Sequence, residues 1–342
     1  MSGDGILVLG GPEIEELLAG REEEIVSVVE RAYVAHHEGK SSLPHSIFLR
    51  FPDNELDRII ALPAYLGDGF DVAGLKWISS FPGNLKRGLA RASAILILNE
   101  CEGGRPQIVL ESSIISARRT AASAASGARA LLEGRTPERV GLIGTGLINF
   151  EIARFLGVVC GAKRFLLHDL DTARAERFAS VLRDHLGAAD VGIAQGTGEV
   201  LASCPLVSFA TTAIRPHIGD LSACPPGAVL LHISLRDLTP EAILEGDNVV
   251  DDVDHVCRAQ TSIHLAEQAT GGRGFVRCAL ADILSGRAPA RKGDGSVAIF
   301  SPFGLGVLDV AVGKLVADAA LASGRGTHIP SFFPAASGDL FT

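Results

Sequence analysis

Several things are scarce in this 342-residue chain, and each scarcity excludes a class of function. No apolar run approaches the ~20 residues that cross a bilayer, and AILIL at 94–98 sits in a strand-like segment. A basic excess is missing too. Forty acids against 31 bases leave a net charge of −9, which argues against nucleic acid as a partner. The opening MSGDGILVLGGPEIEELL has no basic stretch before an apolar one, so neither a signal peptide nor a membrane partner is expected. The six cysteines (Cys101, Cys160, Cys204, Cys224, Cys257, Cys278) are widely spaced with no CxxC pair. That suits a reduced, cytoplasmic protein without a zinc ribbon. No GxSxG, HExxH or Walker lysine occurs, which disfavours acyl transfer, zinc hydrolysis and P-loop chemistry. What is present, 47% hydrophobic and 21% charged residues with 16 prolines, describes a globular chain of roughly two domains at ~150 residues each.

The spacing of Ile14, Leu17, Leu18, Ile25, Val28, Val29 and Ala32 predicts a helix over 13–39 stopped by Gly39. Short β-rich runs follow at 46–51, 58–66, 71–81, 91–100 and 106–111, separated by the turn signals PDNELD, GDG, FPGN and EGGRP. They read as an antiparallel meander. The alanine- and serine-rich stretch 114–132 predicts a helix bridging two domains. After GRTPE, strands at 139–144, 164–170, 205–212 and 228–234 alternate with helices at 148–160 and 172–187. That alternation implies βαβ units and a parallel sheet, hence an α/β fold. The segment 303–324 reads as one long apolar helix.

Gly144-Thr145-Gly146-Leu147-Ile148-Asn149 stands between a strand and a helix, where glycines allow a tight turn and close approach of a pyrophosphate. Asn149 occupies the position of the usual third glycine. Asp169 ends the next strand and is followed by Leu170. A carboxylate there accepts ribose hydroxyls and repels a 2′-phosphate, so NAD is the expected cofactor. Thr211, Ser234 and Ser301, in or opening the segments PLVSFATT, AVLLHIS and SPFGLGVLDVAVG, are also assigned to the cofactor. The alternative is a glycine turn that binds no nucleotide.

Arg50 and Lys76 lie inside strands, where charges need a reason. In DVAGLKWISSF, alternation puts Val72, Gly74 and Lys76 on one face, with the small Gly74 leaving room for a ligand. Arg119 lies in the bridging helix. Three cations from separate elements of an acidic chain suit a small polycarboxylate, although each could instead pair with a surface acid or snorkel. Asp237 follows a strand at the carboxyl edge of the parallel sheet, a position suited to proton transfer, while Asp237-Leu-Thr-Pro-Glu also reads as a helix cap. Asp251, Asp252 and Asp254 read as strand-end acids with no histidine among them, so no metal is expected. His36-His37 reads as a surface pair.

Taken together, the chain resembles the ornithine cyclodeaminase/μ-crystallin family. The resemblance rests on GLKWISSFPGN, the 88–98 strand, SARRTAA, the GTGLIN turn and SPFGLGVLDVAVG. It implies a discontinuous α+β substrate-binding and dimerisation domain (1–118 with 315–342), a Rossmann NAD-binding domain (119–314), and a homodimer. It also implies that the active site lies between the domains, with Lys76 and Asp237 catalytic, Arg50, Lys76 and Arg119 on the substrate, and Asp169 on the ribose. Two departures separate the chain from true cyclodeaminases: SLRDLTPEAI replaces a DxPGK-type stretch, and Arg91 replaces a threonine. These departures are similar to the branch that releases L-2,3-diaminopropionate and 2-oxoglutarate from N-(2-amino-2-carboxyethyl)-L-glutamate for siderophores and peptide antibiotics. That substrate has three carboxylates, so Arg91 is expected to hold one. A cyclodeaminase, a related amino-acid or ketimine dehydrogenase, and a non-catalytic NAD(P)H-binding protein are the alternatives.

Overall fold

The computed structural model describes residues 5–334 apart from Asp294. The chain divides into two units: Met1–Arg21, Glu38–Ser116 and Leu305–Thr342 make the first, and Glu22–His37 with Ala117–Gly304 the second. The first unit holds β1 (Ile6–Leu9), β2 (Ser41–Ser42), β3 (Ile47–Phe51), β4 (Asn54–Leu66), β5 (Val72–Ser80), β6 (Ala92–Asn99) and β7 (Pro106–Glu111). Strands β3 to β7 form the expected antiparallel meander, and β1 joins parallel to β7.

Register decides which side chains share a face. Lys76 stands opposite Leu62 on one side and Leu96 on the other, so these three point the same way. Leu62, Ala64, Leu96 and Leu98 on that face are buried. They are covered by the helix Gly306–Ser323, whose own residues are apolar almost all round. Two glycines permit the approach. A Cβ on Gly313 would stand 2.3 Å from Leu96 Cδ2, and one on Gly74 would meet the Ile97 carbonyl at 2.6 Å and Val310 Cγ1 at 2.9 Å. The space beside Lys76 is thus filled by a helix rather than left for a ligand, contrary to expectation.

The second unit carries a wholly parallel sheet of β8 (Val140–Ile143), β9 (Arg164–His168), β10 (Asp190–Ile193), β11 (Leu206–Phe209), β12 (Val229–His232), β13 (Asp247–Val250), β14 (Val276–Ala279) and β15 (Ala298–Ser301). Its order is β10-β9-β8-β11-β12-β15-β13-β14, so the chain runs outward from β8 one way and then returns to run the other. The reversal lies between β8 and β11, the place where open α/β sheets bind ligands at their carboxyl ends. The last strand, β16 (Thr327–Ile329), pairs antiparallel with β1 of the first unit.

Three differences from the sequence reading have plain causes. The helix expected over 13–39 is two helices, Gly11–Leu18 and Glu22–His37, because Gly20 turns the chain with φ +69°. The second of these belongs with the second unit. Tyr33 Oη bonds Ser123 Oγ at 2.7 Å, Glu22 takes Arg154 at 2.9 Å, and Glu30 takes Arg129 at 2.9 Å. The boundary expected at 315 falls before the helix Gly306–Ser323, since the close contact at Gly313 holds that helix to the first sheet.

Candidate functional site

The turn after β8 has the form a dinucleotide requires. Gly144 has φ +89°, and a Cβ there would stand 2.6 Å from the Ala210 carbonyl, so only glycine fits. Gly146 caps the helix Leu147–Val159, whose first N–H groups are free of intrahelical partners. Asn149 explains the missing third glycine. Its Nδ2 donates to the carbonyls of Ile143 (3.0 Å) and Gly144 (2.6 Å), and its Oδ1 accepts from Ser208 Oγ (2.8 Å). A side chain thus locks the turn that a glycine would merely have permitted. Asp169, at the end of β9, accepts from the Thr145 N–H (2.8 Å) and Thr145 Oγ1 (2.7 Å) through Oδ2, and from the Asp171 N–H (3.1 Å) through Oδ1. Burial pushes this carboxyl up, but those bonds and the nearby Arg174 charge outweigh burial and hold it below the usual range. Leu147 and Leu170 are exposed and Ile148 half-buried beside it. The residues present fit the adenosine ribose and pyrophosphate of NAD.

Asp237 is wholly buried beyond the end of β12. Thr211 Oγ1 donates to its Oδ1 at 2.5 Å, and Ser234 Oγ donates to its Oδ2. His232 Nε2 stands 3.1 Å from the Asp237 N–H and 3.4 Å from Oδ2. Neutral, the ring accepts the N–H; protonated, it pairs with the carboxylate. Burial pushes the Asp237 carboxyl up, yet the His232 ring and the two hydroxyls hold it below the usual range. It is not the helix cap. Thr239 caps the helix Pro240–Glu245, accepting from the Ala242 N–H. Leu235, two residues before Asp237, has φ +66°, a strained conformation for a leucine and one held by the surrounding loop.

The hydroxyls of the three residues assigned to the cofactor have partners within the fold. Those of Thr211 and Ser234 are on Asp237, and that of Ser301, wholly buried, lies 3.3 Å from His232 Nδ1. His232 itself escaped the sequence reading, since a histidine inside LLHIS looks like any strand residue.

In the first unit, Lys76 is 2% exposed. Its Nζ lies 2.7 Å from Asp309 Oδ2 and donates to Ser116 Oγ at 3.1 Å. Arg50 is exposed, with its guanidinium 5.7 Å from the Phe48 ring centroid. The register adds a cation the sequence reading missed: Arg58 stands directly opposite Arg50, on the same face as Lys76. Arg91 shares the face of Ser93, as the alternation predicts. It lies just before β6, and its carbonyl accepts from the Phe81 N–H at 2.8 Å. Continued alternation puts it with Ser93 and Ser79, on the face opposite Lys76. Burial lowers its pKa from the ordinary value, and its buried Nε has no hydrogen-bond partner among the described residues.

In the second unit, Arg119 is 8% exposed on the helix Ser113–Leu131, and a Gly304 Cβ would stand 2.8 Å from its Nη1. The three acids near β13 differ from one another. Asp251 accepts the N–H groups of Phe303 and Gly304 (both 2.8 Å), Asp252 meets His36 (3.2 Å) and His255 (3.0 Å), and Asp254 pairs with Arg273 at 2.5 Å. Histidines therefore do accompany this cluster. His36 and His37 are not a free surface pair either, since His37 lies 2.9 Å from Asp282.

A family model described as the ornithine cyclodeaminase/mu-crystallin family matches residues 8–324. The chain belongs to that family. Among its members, the alanine dehydrogenase of Archaeoglobus fulgidus is 27% identical over 337 residues, covering 95% of this chain and 98% of the relative. The N-((2S)-2-amino-2-carboxyethyl)-L-glutamate dehydrogenase of Staphylococcus aureus is 26% identical over 331 residues, covering 95% and 98%. A solved archaeal alanine dehydrogenase dimer with bound NAD superposes with a TM-score of 0.84 at 26% identity, covering 96% of this chain and 100% of that one.

Proposed function

We propose that this chain oxidises N-(2-amino-2-carboxyethyl)-L-glutamate with NAD and hydrolyses the resulting imine to 2-oxoglutarate and L-2,3-diaminopropionate. It is an NAD-dependent oxidoreductase of the ornithine cyclodeaminase/mu-crystallin family acting on a carbon–nitrogen bond. One observation carries the finer reading: Arg50 and Arg58 directly oppose each other on the face of Lys76. A carboxylate can bridge two cations that face one another across a strand pair. A substrate with several carboxylates supplies it.

When bound, NAD accepts the hydride that leaves the glutamyl Cα. The chain's own residues then manage charge and protons. Asp237, kept ionised by Thr211, Ser234 and His232, takes the proton lost from the secondary amine, returns it to the imine nitrogen, and then takes a proton from the water that adds to the C=N carbon. Lys76, whose Nζ lies 2.7 Å from buried Asp309, offers charge to a carboxylate and protonates the departing amine. Arg50, Arg58 and Arg119 bind carboxylates in forked geometry, and Arg91, on the other face of the strand pair, is tested separately. Arg50→Ala or Arg58→Ala should lower kcat/KM for the adduct roughly ten- to a thousandfold, at ~1.5–3 kcal/mol per charged bond. Unchanged values in both variants would remove the basis of the reading. Arg91→Ala separates three cases: lost adduct turnover with NAD binding intact marks a carboxylate ligand, weakened NAD binding marks a phosphate contact, and no change marks a solvent-facing side chain.

Similarity to the archaeal alanine dehydrogenase supports a second reading, oxidation of a simple amino acid. The family resemblance and an exposed apolar row support a homodimer. Ile47, Ala61, Trp77 and Ile95 lie in register on the face away from Lys76, and Ile47 and Ile95 are 67% and 43% exposed. Ile47→Glu should halve the sedimenting mass of the wild-type dimer. A wild-type monomer would refute that assembly. Among the described residues, no helix is long and apolar enough to cross a membrane.

A further inference from the structure

Arg174 lies in the first turn of the helix Thr172–Leu186, fixed there by Asp171, whose Oδ1 accepts the Arg174 N–H at 3.1 Å. Its Nε reaches back to the dinucleotide turn and donates to the Thr145 carbonyl at 3.2 Å. Its Nη2 stands 3.3 Å from where a Cβ on Gly146 would be, which places the guanidinium in van der Waals reach of the turn's second glycine. Nε is thus committed to the turn, while Nη1 and Nη2 have neither hydrogen-bond nor ion-pair partner among the described residues.

The location is an unfavourable one for a cation left alone. The first turn of a helix carries positive partial charge, and Arg174 sits in one such turn and against another, that of Leu147–Val159. Asp169 is the acid whose charge it influences, and that carboxylate already accepts three hydrogen bonds from the protein. A phosphate held between the guanidinium and the free N–H groups of the turn would answer all of this positive charge at once.

We propose that Arg174 is a cofactor-binding residue that grips the pyrophosphate of the dinucleotide at the Gly144–Gly146 turn. The proposal rests on the NAD reading of that turn and not on the identity of the substrate. The contact is to the pyrophosphate rather than to a ribose phosphate, because the guanidinium lies on Gly146, where the backbone comes nearest the diphosphate in such turns.

The test needs no turnover. Wild type and Arg174→Ala are titrated by calorimetry with ADP, adenosine and adenosine 2′-monophosphate. Arg174→Ala should weaken ADP about ten- to a hundredfold, the loss of one charge-assisted bond, while adenosine changes less than twofold. Equal ADP affinity in the two proteins, or equal losses for ADP and adenosine, would overturn the proposal. The latter pattern would show that the arginine only shapes the turn. A loss larger for the 2′-phosphate than for ADP would move the contact to the ribose and overturn it too. Failure of wild type to bind ADP at all would defeat the NAD reading instead. Arg174→Gln, which keeps a donor for the Thr145 carbonyl, repeats the comparison if the alanine variant does not fold.

Discussion

Asn149 donates to the Gly144 carbonyl at 2.6 Å, so the residue standing where the dinucleotide turn usually has its third glycine ties that turn together. The same amide accepts from Ser208 Oγ, which is wholly buried in β11. Replacing Asn149 by alanine leaves that hydroxyl and the Gly144 carbonyl without these partners, at a cost of about 1–3 kcal/mol. Asn149→Gly, although it restores the usual pattern, should cost at least as much. Urea unfolding checks this, and a stabilised glycine variant would contradict it.

Cofactor choice follows from Asp169. Bringing a 2′-phosphate against a carboxylate held ionised at neutral pH costs like-charge repulsion and lost ribose bonds, together ~2–4 kcal/mol. NAD should therefore be preferred over NADP by roughly thirtyfold to nine-hundredfold in kcat/KM. Asp169→Ala should narrow that gap. Equal efficiency with both cofactors in wild type would refute the assignment.

Asp237→Asn should reduce kcat sharply while leaving NAD affinity unchanged, because the amide cannot take a proton. Loss of a cap cannot explain such a result, since Thr239 caps the following helix. The substitution has a pH signature in stability as well. Asp237 is held below its ordinary value in the fold, so the stability its charge contributes is present above pH ~4 and is lost as pH falls through the folded value. The stability difference between wild type and Asp237→Asn should accordingly be largest near neutrality and shrink below pH ~4. A difference that grows on acidification would contradict the geometry around the carboxylate.

Much of this was legible in the sequence, for reasons particular residues supply. Period-two alternation in DVAGLKWISSF gave the face of Lys76, and a strand–glycine–helix succession gave the turn at Gly144. What alternation cannot give is the partner across the sheet. Arg58 looked like an ordinary strand-end charge until the register set it opposite Arg50. The strands β13 and β14 went unread because their interiors are polar: buried Asp247 pairs with Arg277 at 2.6 Å, and buried Asn248 donates to the Ile243 carbonyl at 2.6 Å. The first of these pairings spans thirty residues of sequence and carries no local period. The space beside Lys76 was misjudged in the same way, since Gly74 was read as room for a ligand and the sequence did not say that a helix fills it.

Thiol chemistry should separate one cysteine from five. Cys101 is exposed, whereas burial pushes Cys160, Cys224, Cys257 and Cys278 up to about 11 and Cys204 up to about 12. Those five are protonated at neutral pH and poor nucleophiles. A disulfide reagent should label one thiol rapidly in the native protein and six after unfolding. Rapid labelling of two or more would show that the folded units open readily.

NADH absorbance measured with three substrates in parallel tests the central claim most directly. N-(2-amino-2-carboxyethyl)-L-glutamate should give net NADH together with 2-oxoglutarate. Ornithine should give none, since cyclodeamination returns the hydride within its cycle, and alanine should give little. Net NADH from alanine with none from the adduct would contradict the account.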